Sequence, residues 1–373
     1  MDNNEKRLDI EEDFFSQDRK ETRKERKNSQ LKDRSKYKKS DQDQRKNREE
    51  KGEPLLGANC QRGRVLNVTL DGIKVSSEHK TFFCSLKGAL KKEKSKHKNL
   101  IAVGDFVHFD PSSSTITHIE KRTSFLSRTD NLSRRKQQLM AVNIDQVFIV
   151  MSLVFPKFKP LLIDRYIIAA NKGNMDPIII INKIDLLDDP PPHILPSEVE
   201  EEKRLFEEFL TAYSPLGIPI LQLSASNHKN LDRLKEAMQG KTSVFAGQSG
   251  VGKSSLINVA LGIDLAVGDV IEKTRKGSHT TSTAQLLSIE GEGFCIDTPG
   301  IKSFGMWDLP LQEIPHYFDD FFPFSEQCKF PNCTHLHEPD CGVKQALETG
   351  EIHRLRYASY VTLMSNEPIK EWE

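Results

Sequence analysis

The sequence predicts a multidomain α/β protein, with a doubly wound sheet in the middle of the chain, a small β-barrel before it and a helical, metal-organised segment after it. Three observations carry this. Nearly continuous apolar runs of strand length alternate with helical stretches from about residue 145 to 297, as expected for parallel strands buried on both faces. Short strand-like runs with frequent turn residues fill 57–125. Three of the six cysteines crowd between 328 and 341. At roughly 150 residues per domain, 373 residues suggest two or three domains.

Taken in order, residues 1–56 read as a disordered charged tail. Fourteen Lys/Arg stand against five Asp/Glu between Arg19 and Arg48, with only Leu31 and Tyr37 as sizeable apolar groups. Such a stretch cannot bury enough surface to offset its chain entropy. It could serve as a solubilising spacer or neutralise nucleic-acid phosphates without reading sequence. The zero formal net charge, 54 basic against 54 acidic residues, hides this asymmetry. No run of eighteen apolar residues is present and the first residues lack an apolar core, so the expectation is a cytoplasmic protein with no membrane partner. Cysteine usage fits a reducing compartment.

Residues 57–125 offer five short strands, GRVLNVTL, GIKVSS, TFFCSL, VGDFVHFD and STITHIEKR. Five strands in about seventy residues predict an OB-fold barrel, a frequent RNA-binding scaffold. Lys91, Lys92, Lys94, Lys96 and Lys98 would form a basic loop on its rim. A polar stretch, SRTDNLSRRKQQ, reads as a connector. The α/β domain, 126–306, then runs through DQVFIVMSLV, a helix near 163–173, PIIIIN, a helix near 198–213, IPILQLSA, a helix near 229–239, and SVFAG.

SVFAG leads directly into Gly247-Gln-Ser-Gly250-Val251-Gly252-Lys253-Ser254, followed by Ser255 and a helical SLINVAL. This is the phosphate-loop pattern in its required strand–loop–helix context. Glycines let the backbone approach phosphates, and successive amides point inward at the helix start. Lys253 should reach the β- and γ-phosphates, and the Ser254 hydroxyl should hold magnesium.

Asn182-Lys183-Ile184-Asp185 ends the strand PIIII. A carboxylate at Asp185 can accept from both guanine N1–H and N2–H, a donor pair that adenine lacks, which argues for GTP/GDP over ATP. Ser224 and Ala225 end the next strand, where the second guanine-side loop belongs. Asp297-Thr298-Pro299-Gly300 ends GFCID and matches the loop that reaches magnesium and the γ-phosphate. The parts are those of a GTPase in another order: guanine loops at 182 and 224, phosphate loop at 247, DTPG at 297. The domain is therefore read as circularly permuted, so that the stretch after DTPG continues into the C-terminal segment.

In Ras-like GTPases a glutamine after the DxxG glycine orients the attacking water. Ile301 stands there and cannot do so. His279, in KGSHTTST between the phosphate loop and DTPG, is the candidate catalytic residue in its place, and Thr280 or Thr281 could offer a hydroxyl to magnesium.

Cys328, Cys333, His335 and Cys341 supply three thiolates and one imidazole within fourteen residues, a closed set suited to one structural zinc, with His337 an alternative ligand. Residues 307–373 would form this helical zinc-binding domain, closed by GVKQALETG and HRLRYASYVTLMSN packed on the knuckle. Cys60, Cys84 and Cys295 read as packed thiols.

The barrel, the permuted GTPase and the Cys-x4-Cys-x-His-x5-Cys knuckle, in that order over about 57–365, closely resemble the RsgA (YjeQ) family of small ribosomal subunit biogenesis GTPases. The likeness extends to Val103–Asp105, Arg128–Arg134, Ala141–Gln146, GQSGVGKSSLIN, His279–Thr281 and DTPGI. The resemblance implies a GTPase that acts late in maturation of the 30S subunit, binds its rRNA and is stimulated by it. It implies His279 as the catalytic histidine and Cys328, Cys333, His335 and Cys341 as zinc ligands. A monomer without a DNA partner is expected. Two stretches depart from the family: Thr274–Ser278 replaces a glycine- and arginine-rich first switch, and Ser282 stands where a third threonine is usual. An RNA-binding module that holds guanine nucleotide without turnover remains the alternative.

Overall fold

The computed structural model describes residues 59–78, 80–91, 99–130, 133–262, 284–289, 293–297 and 310–365. The tail 1–56, Lys92, Lys94, Lys96 and Lys98, the stretch holding His279, Thr280 and Thr281, and Gly300 and Ile301 lie outside the described residues.

Five strands come first: β1 (Gln61–Val68), β2 (Ile73–Ser77), β3 (Lys80–Leu86), β4 (Phe106–Asp110) and β5 (Thr115–Ile119), with a short helix α1 (Gly88–Lys91) after β3. They pair in the order β1-β2-β3-β5-β4, and β4 returns to pair with β1, so the sheet closes into a five-stranded barrel. Closure removes the unpaired edges that an open sheet would expose. Alternate residues point inward, and Val65, Ile73, Val75, Cys84, Val107, Phe109 and Ile116 fill the interior. The VGD stretch finds its role at the barrel mouth. Asp105 is fully buried and receives two hydrogen bonds from Arg122, Nε at 2.7 Å and Nη2 at 2.8 Å, and one from the Ala102 N–H at 2.8 Å.

The stretch expected to be a polar connector is instead a β-hairpin, β6 (Phe125–Asp130) with β7 (Ser133–Val142). Its register shifts at Leu126/Ser127 and Thr129/Asp130. The polar run gives no alternating apolar face, so nothing in its side-chain pattern marks it as sheet. Backbone pairing carries it, and Leu126, Leu139, Ala141 and Val142 are buried near its base.

Through the pairing of β1 with β12 at Asn67 and Gln285, the barrel's sheet continues into β8 (Gln146–Ser152), β9 (Asp176–Asn182), β10 (Ile220–Gln222), β11 (Thr242–Gly247), β12 (Gln285–Ser288) and β13 (Phe294–Asp297), in the order β10-β9-β8-β11-β13-β12. The first five in that order are parallel, and β12 is antiparallel. Successive residues of the central strands feed opposite faces. Val147, Ile149, Met151, Ile179, Ile181, Val244 and Ala246 pack with helices α2 (Pro160–Lys172) and α3 (Pro196–Tyr213). Phe148, Val150, Ile178, Ile180 and Phe245 pack with α4 (Leu231–Met238) and α5 (Lys253–Ala260) on the other face. Each fully buried side chain of this kind contributes about 1.5–3 kcal/mol, so two-sided burial is the main stabilising term. Proline opens both α2 and α3, where its missing N–H costs nothing, and the Glu198 carboxylate accepts the Leu195 N–H at 3.1 Å.

The AVNIDQ stretch joins barrel and sheet. Asn143 accepts from the Thr123 N–H at 2.9 Å and donates to Gly104 O at 3.0 Å, and Asp145 accepts the Thr242 N–H at 2.7 Å. Arg64 of β1 donates to Asn143 O at 3.0 Å and Thr242 Oγ1 at 2.8 Å, between the rings of Phe106 and Phe294. Burial pushes its guanidinium down to about 10, against the pull of Asp145.

After β13 and residues 298–309 come short 3-10 turns and three helices, α6 (Phe322–Ser325), α7 (Gly342–Glu348) and α8 (Arg354–Met364). Phe318, Phe321, Val343, Ala346, Ile352, Tyr360 and Leu363 form their core with Cys328 and Cys341, and Ile168 of α2 joins it. One buried charge cluster fixes α8 on the sheet's helices. Arg356 bonds Asp164 of α2 and grips Asp320 with Nε at 3.0 Å and Nη2 at 2.9 Å, while the Tyr213 hydroxyl donates to Asp164 at 2.5 Å. Burial opposes the charge, but the two carboxylates more than offset it and hold the guanidinium above its ordinary range. Arg356→Ala leaves the Asp164 carboxylate, 1% exposed, without its cation; it is expected to cost about 3–5 kcal/mol, read as a lower urea midpoint of unfolding.

Candidate functional site

A parallel sheet collects the carboxyl ends of its strands on one edge, where ligands bind in open α/β folds. Here the loops after β8, β9, β10 and β11 meet at that edge.

The phosphate loop leaves β11 at Gly247 and enters α5 at Lys253. Two of its glycines are sterically required. A Cβ on Gly247, φ +140°, would lie 2.1 Å from Val150 O, and one on Gly252, φ +94°, would lie 2.4 Å from Asn182 Nδ2. Gly250 also has positive φ, at +82°. Val251 is fully buried and anchors the turn in the α4/α5 core, while Ser254 and Ser255 stand half-buried in the first turn of the helix. The Lys253 ammonium lies over the loop and donates to Gly247 O at 2.8 Å and to Gln248 O.

The NKID loop follows β9. Asn182 is buried, 1% exposed. Its Nδ2 donates to Val251 O at 2.8 Å and its Oδ1 accepts the Ala225 N–H at 3.2 Å, so one side chain ties the phosphate loop to both guanine-side loops. Lys183 takes a left-handed turn, φ +61°, and its ammonium donates to Phe155 O at 3.0 Å. Burial lowers its pKa, opposed by Asp185. The Asp185 carboxylate accepts from Ser224 Oγ at 2.5 Å and Ser226 Oγ at 3.0 Å. Each carboxylate oxygen has two acceptor sites, so the pair can also receive the two N–H donors of a guanine edge. Asp297 ends β13 on the same edge.

Ser226 belongs to the Ser224-Ala225-Ser226 strand end that the sequence marks as a guanine-side loop, and its hydroxyl reaches Asp185. The sequence did not single out the loop after β8. The β8 loop carries no motif; its signal was topological, as the exit of the central strand.

The second candidate centre is the knuckle. Ligand atoms of Cys328, Cys333, His335 and Cys341 all lie within 4.8 Å of one another. Sγ of Cys328 and Sγ of Cys341 are 3.8 Å apart, and they stand 3.5 and 3.4 Å from His335 Nδ1. A tetrahedral zinc with bonds of about 2.3 Å to sulfur and 2.0–2.1 Å to nitrogen requires separations of about 3.8 and 3.6 Å, so Cys328, Cys341 and His335 match that ion, with Cys333 within 4.8 Å of them. Burial pushes the Cys328 and Cys333 thiols up and the His335 imidazole down, so thiolates here call for a cation. The turn is held from outside. Burial disfavours ionised Glu338, but its carboxylate accepts from Thr334 N and Oγ1, Leu336 N and His337 N, which brings it down to about 2. The hydroxyls of Tyr357 and Tyr360 on α8 donate to His335 O and Thr334 O, each at 2.7 Å. His337 is not in the ligand cluster. Cys84 and Cys295 are buried thiols, and Cys60 is partly buried beside Thr117 Oγ1.

Comparison with known proteins agrees with this architecture. Residues 119–307 match the family model described as RsgA GTPase. "Small ribosomal subunit biogenesis GTPase RsgA 2" of Bacteroides thetaiotaomicron is 32% identical over 311 residues, covering 82% of this chain and 97% of the relative. "Small ribosomal subunit biogenesis GTPase RsgA" of Flavobacterium johnsoniae is 36% identical over 313 residues, covering 82% of this chain and 93% of the relative. Among solved structures, YjeQ from Thermotoga maritima matches with a TM-score of 0.66 at 32% identity, over 82% of this chain and 98% of that one. YloQ, described as a circularly permuted GTPase, matches with a TM-score of 0.62 at 29% identity, over 84% and 97%.

The knuckle geometry predicts one zinc per chain by elemental analysis of the purified protein. Cys341→Ser should lower that stoichiometry well below one and reduce the thermal midpoint, because metal-binding free energy is folding free energy here.

Proposed function

From the premise that the chain belongs to the RsgA GTPase family and is a GTP hydrolase, we propose that it acts in late maturation of the small ribosomal subunit, in the cytoplasm, with the subunit and its rRNA as partners. The observation that carries this is the meeting of the NKID, Ser224 and phosphate loops at one sheet edge, joined through Asn182, in a chain whose relatives are named for that process.

In this reading, the amides of Gly250–Ser255 receive the phosphates and Lys253 leaves its loop carbonyls for the β- and γ-oxygens. Asp185 reads the guanine edge while Ser224 and Ala225 shape its side of the pocket. Ser254, with Thr280 or Thr281 and Asp297, would hold magnesium, which when bound neutralises charge developing on the phosphate oxygens. Gly300 gives the γ-phosphate a backbone amide. His279 orients the water, since Ile301 has no polar group for it.

The barrel, an OB-type fold over 57–125, and the basic tail 1–56 would contact rRNA. Residues 126–306 form the permuted GTPase and 307–373 the zinc domain. Permutation routes the stretch after DTPG straight into that zinc domain, so loss of the γ-phosphate would change the hold on the subunit and release the protein, which works as a monomer.

GTP turnover is expected to be slow alone and strongly stimulated by small subunits, and His279→Ala should cut the stimulated rate by roughly 10²–10⁴-fold. Tight guanine-nucleotide binding without stimulation would overturn the reading in favour of a binding module. Asp185→Asn should weaken GDP binding by about tenfold or more, through loss of a charge-assisted hydrogen bond, and relax the preference for guanine.

A further inference from the structure

The loop after β8 exposes an aromatic ring at the nucleotide edge, and neither the sequence motifs nor the function above uses it. β8 lies between β9 and β11 in the sheet, so its loop emerges between the NKID loop and the phosphate loop. The loop is pinned at several points. Ser152 Oγ donates to Pro156 O at 2.5 Å, and the Phe158 N–H donates to Leu153 O at 3.1 Å and to Glu202 Oε2 at 3.2 Å. Pro156 backs the phosphate loop, its Cγ lying 3.3 Å from where a Gly250 Cβ would stand. Yet the Phe155 side chain on this rigid segment is 49% exposed. His193 meets the ring edge-on at 5.3 Å and 83°. The Lys183 ammonium bonds Phe155 O and lies 5.8 Å from the ring centroid. The Lys183 stem passes Gly252, with Cε 3.9 Å from a Cβ built there. Lys183 is thus stretched between the phosphate-loop exit and Phe155.

We propose that Phe155 is a positioning residue of the nucleotide site, whose ring and carbonyl hold the Lys183 side chain taut so that its stem forms one wall for a bound guanine nucleoside. The inference rests on the nucleotide-site reading above. The carbonyl survives any substitution, so truncating the side chain isolates the contribution of the ring.

The test is titration of the full chain with fluorescent GDP and with IDP, which lacks the 2-amino group. Phe155→Ala should weaken both about equally, by roughly 3- to 30-fold, as loss of a partly desolvated cation–ring contact implies. Phe155→Tyr should restore binding. On a Lys183→Met background Phe155→Ala should add almost nothing, because the ring acts through the lysine. An undiminished effect on that background, or wild-type binding by Phe155→Ala, overturns the inference. Asp185→Asn run in parallel separates the two levels. If it leaves the GDP/IDP ratio unchanged, the nucleotide-site reading itself fails; if the ratio shifts while Phe155→Ala binds normally, only the role of Phe155 falls.

Discussion

Parallel strand pairing is the constraint on which the rest depends. Once β10, β9, β8, β11 and β13 lie side by side in one direction, all of their exits fall on one edge. The order in which the chain visits them then matters little to the site. A guanine loop at 182 and a phosphate loop at 247 meet because β9 and β11 both flank β8, and this is why permuted connectivity leaves the chemistry possible. The Asn182 side chain completes the arrangement. Buried and bonded to Val251 O and the Ala225 N–H, it ties three loops from three strands together.

Two arginines, Arg64 half-buried and Arg356 buried, fix what surrounds the sheet. Arg64 joins the barrel to β11 through Thr242, and Arg356 joins α8 to α2 and to Asp320. Such pairs are weak arguments for stability, because desolvation consumes much of the Coulomb gain. Their effect is on geometry, since an apolar contact tolerates sliding and a guanidinium between fixed acceptors does not. The C-terminal segment is therefore tied at both ends, to β13 through residues 298–309 and to the helices under β8 through Arg356. The end of β13 has a short covalent path into a segment whose far end is anchored.

The knuckle shows the same economy on a smaller scale. Its four ligand atoms come from fourteen residues too short to enclose a core, and the thiols of Cys328 and Cys341 stand in the apolar cluster beside Phe318 and Tyr360. Glu338 and two tyrosine hydroxyls hold the backbone between the four Cys and His side chains, so hydrogen bonds position the cluster.

The sequence by itself determined whatever is encoded over short spans. The apolar runs of β8, β9 and β11, the phosphate loop, the NKID turn and the Cys/His spacing are local patterns, and each required structure follows from them within a few residues. The closed barrel was legible too, because five short strands with turn signals admit few arrangements. Only the tertiary structure decided how distant polar groups pair. Nothing near Arg356 announces Asp164, 192 residues away, and nothing near Asn182 says that its amide serves the backbone of another loop. The hairpin of β6 and β7 was misread as a connector because backbone pairing leaves no mark on a run of polar side chains. The loop bearing Phe155 was invisible because its importance lies in emerging from a central strand. Apolar patterning reports burial, which is local and additive. Hydrogen-bond and ion-pair partners are chosen only when the fold brings them within about 3 Å, and sequence order does not record that choice.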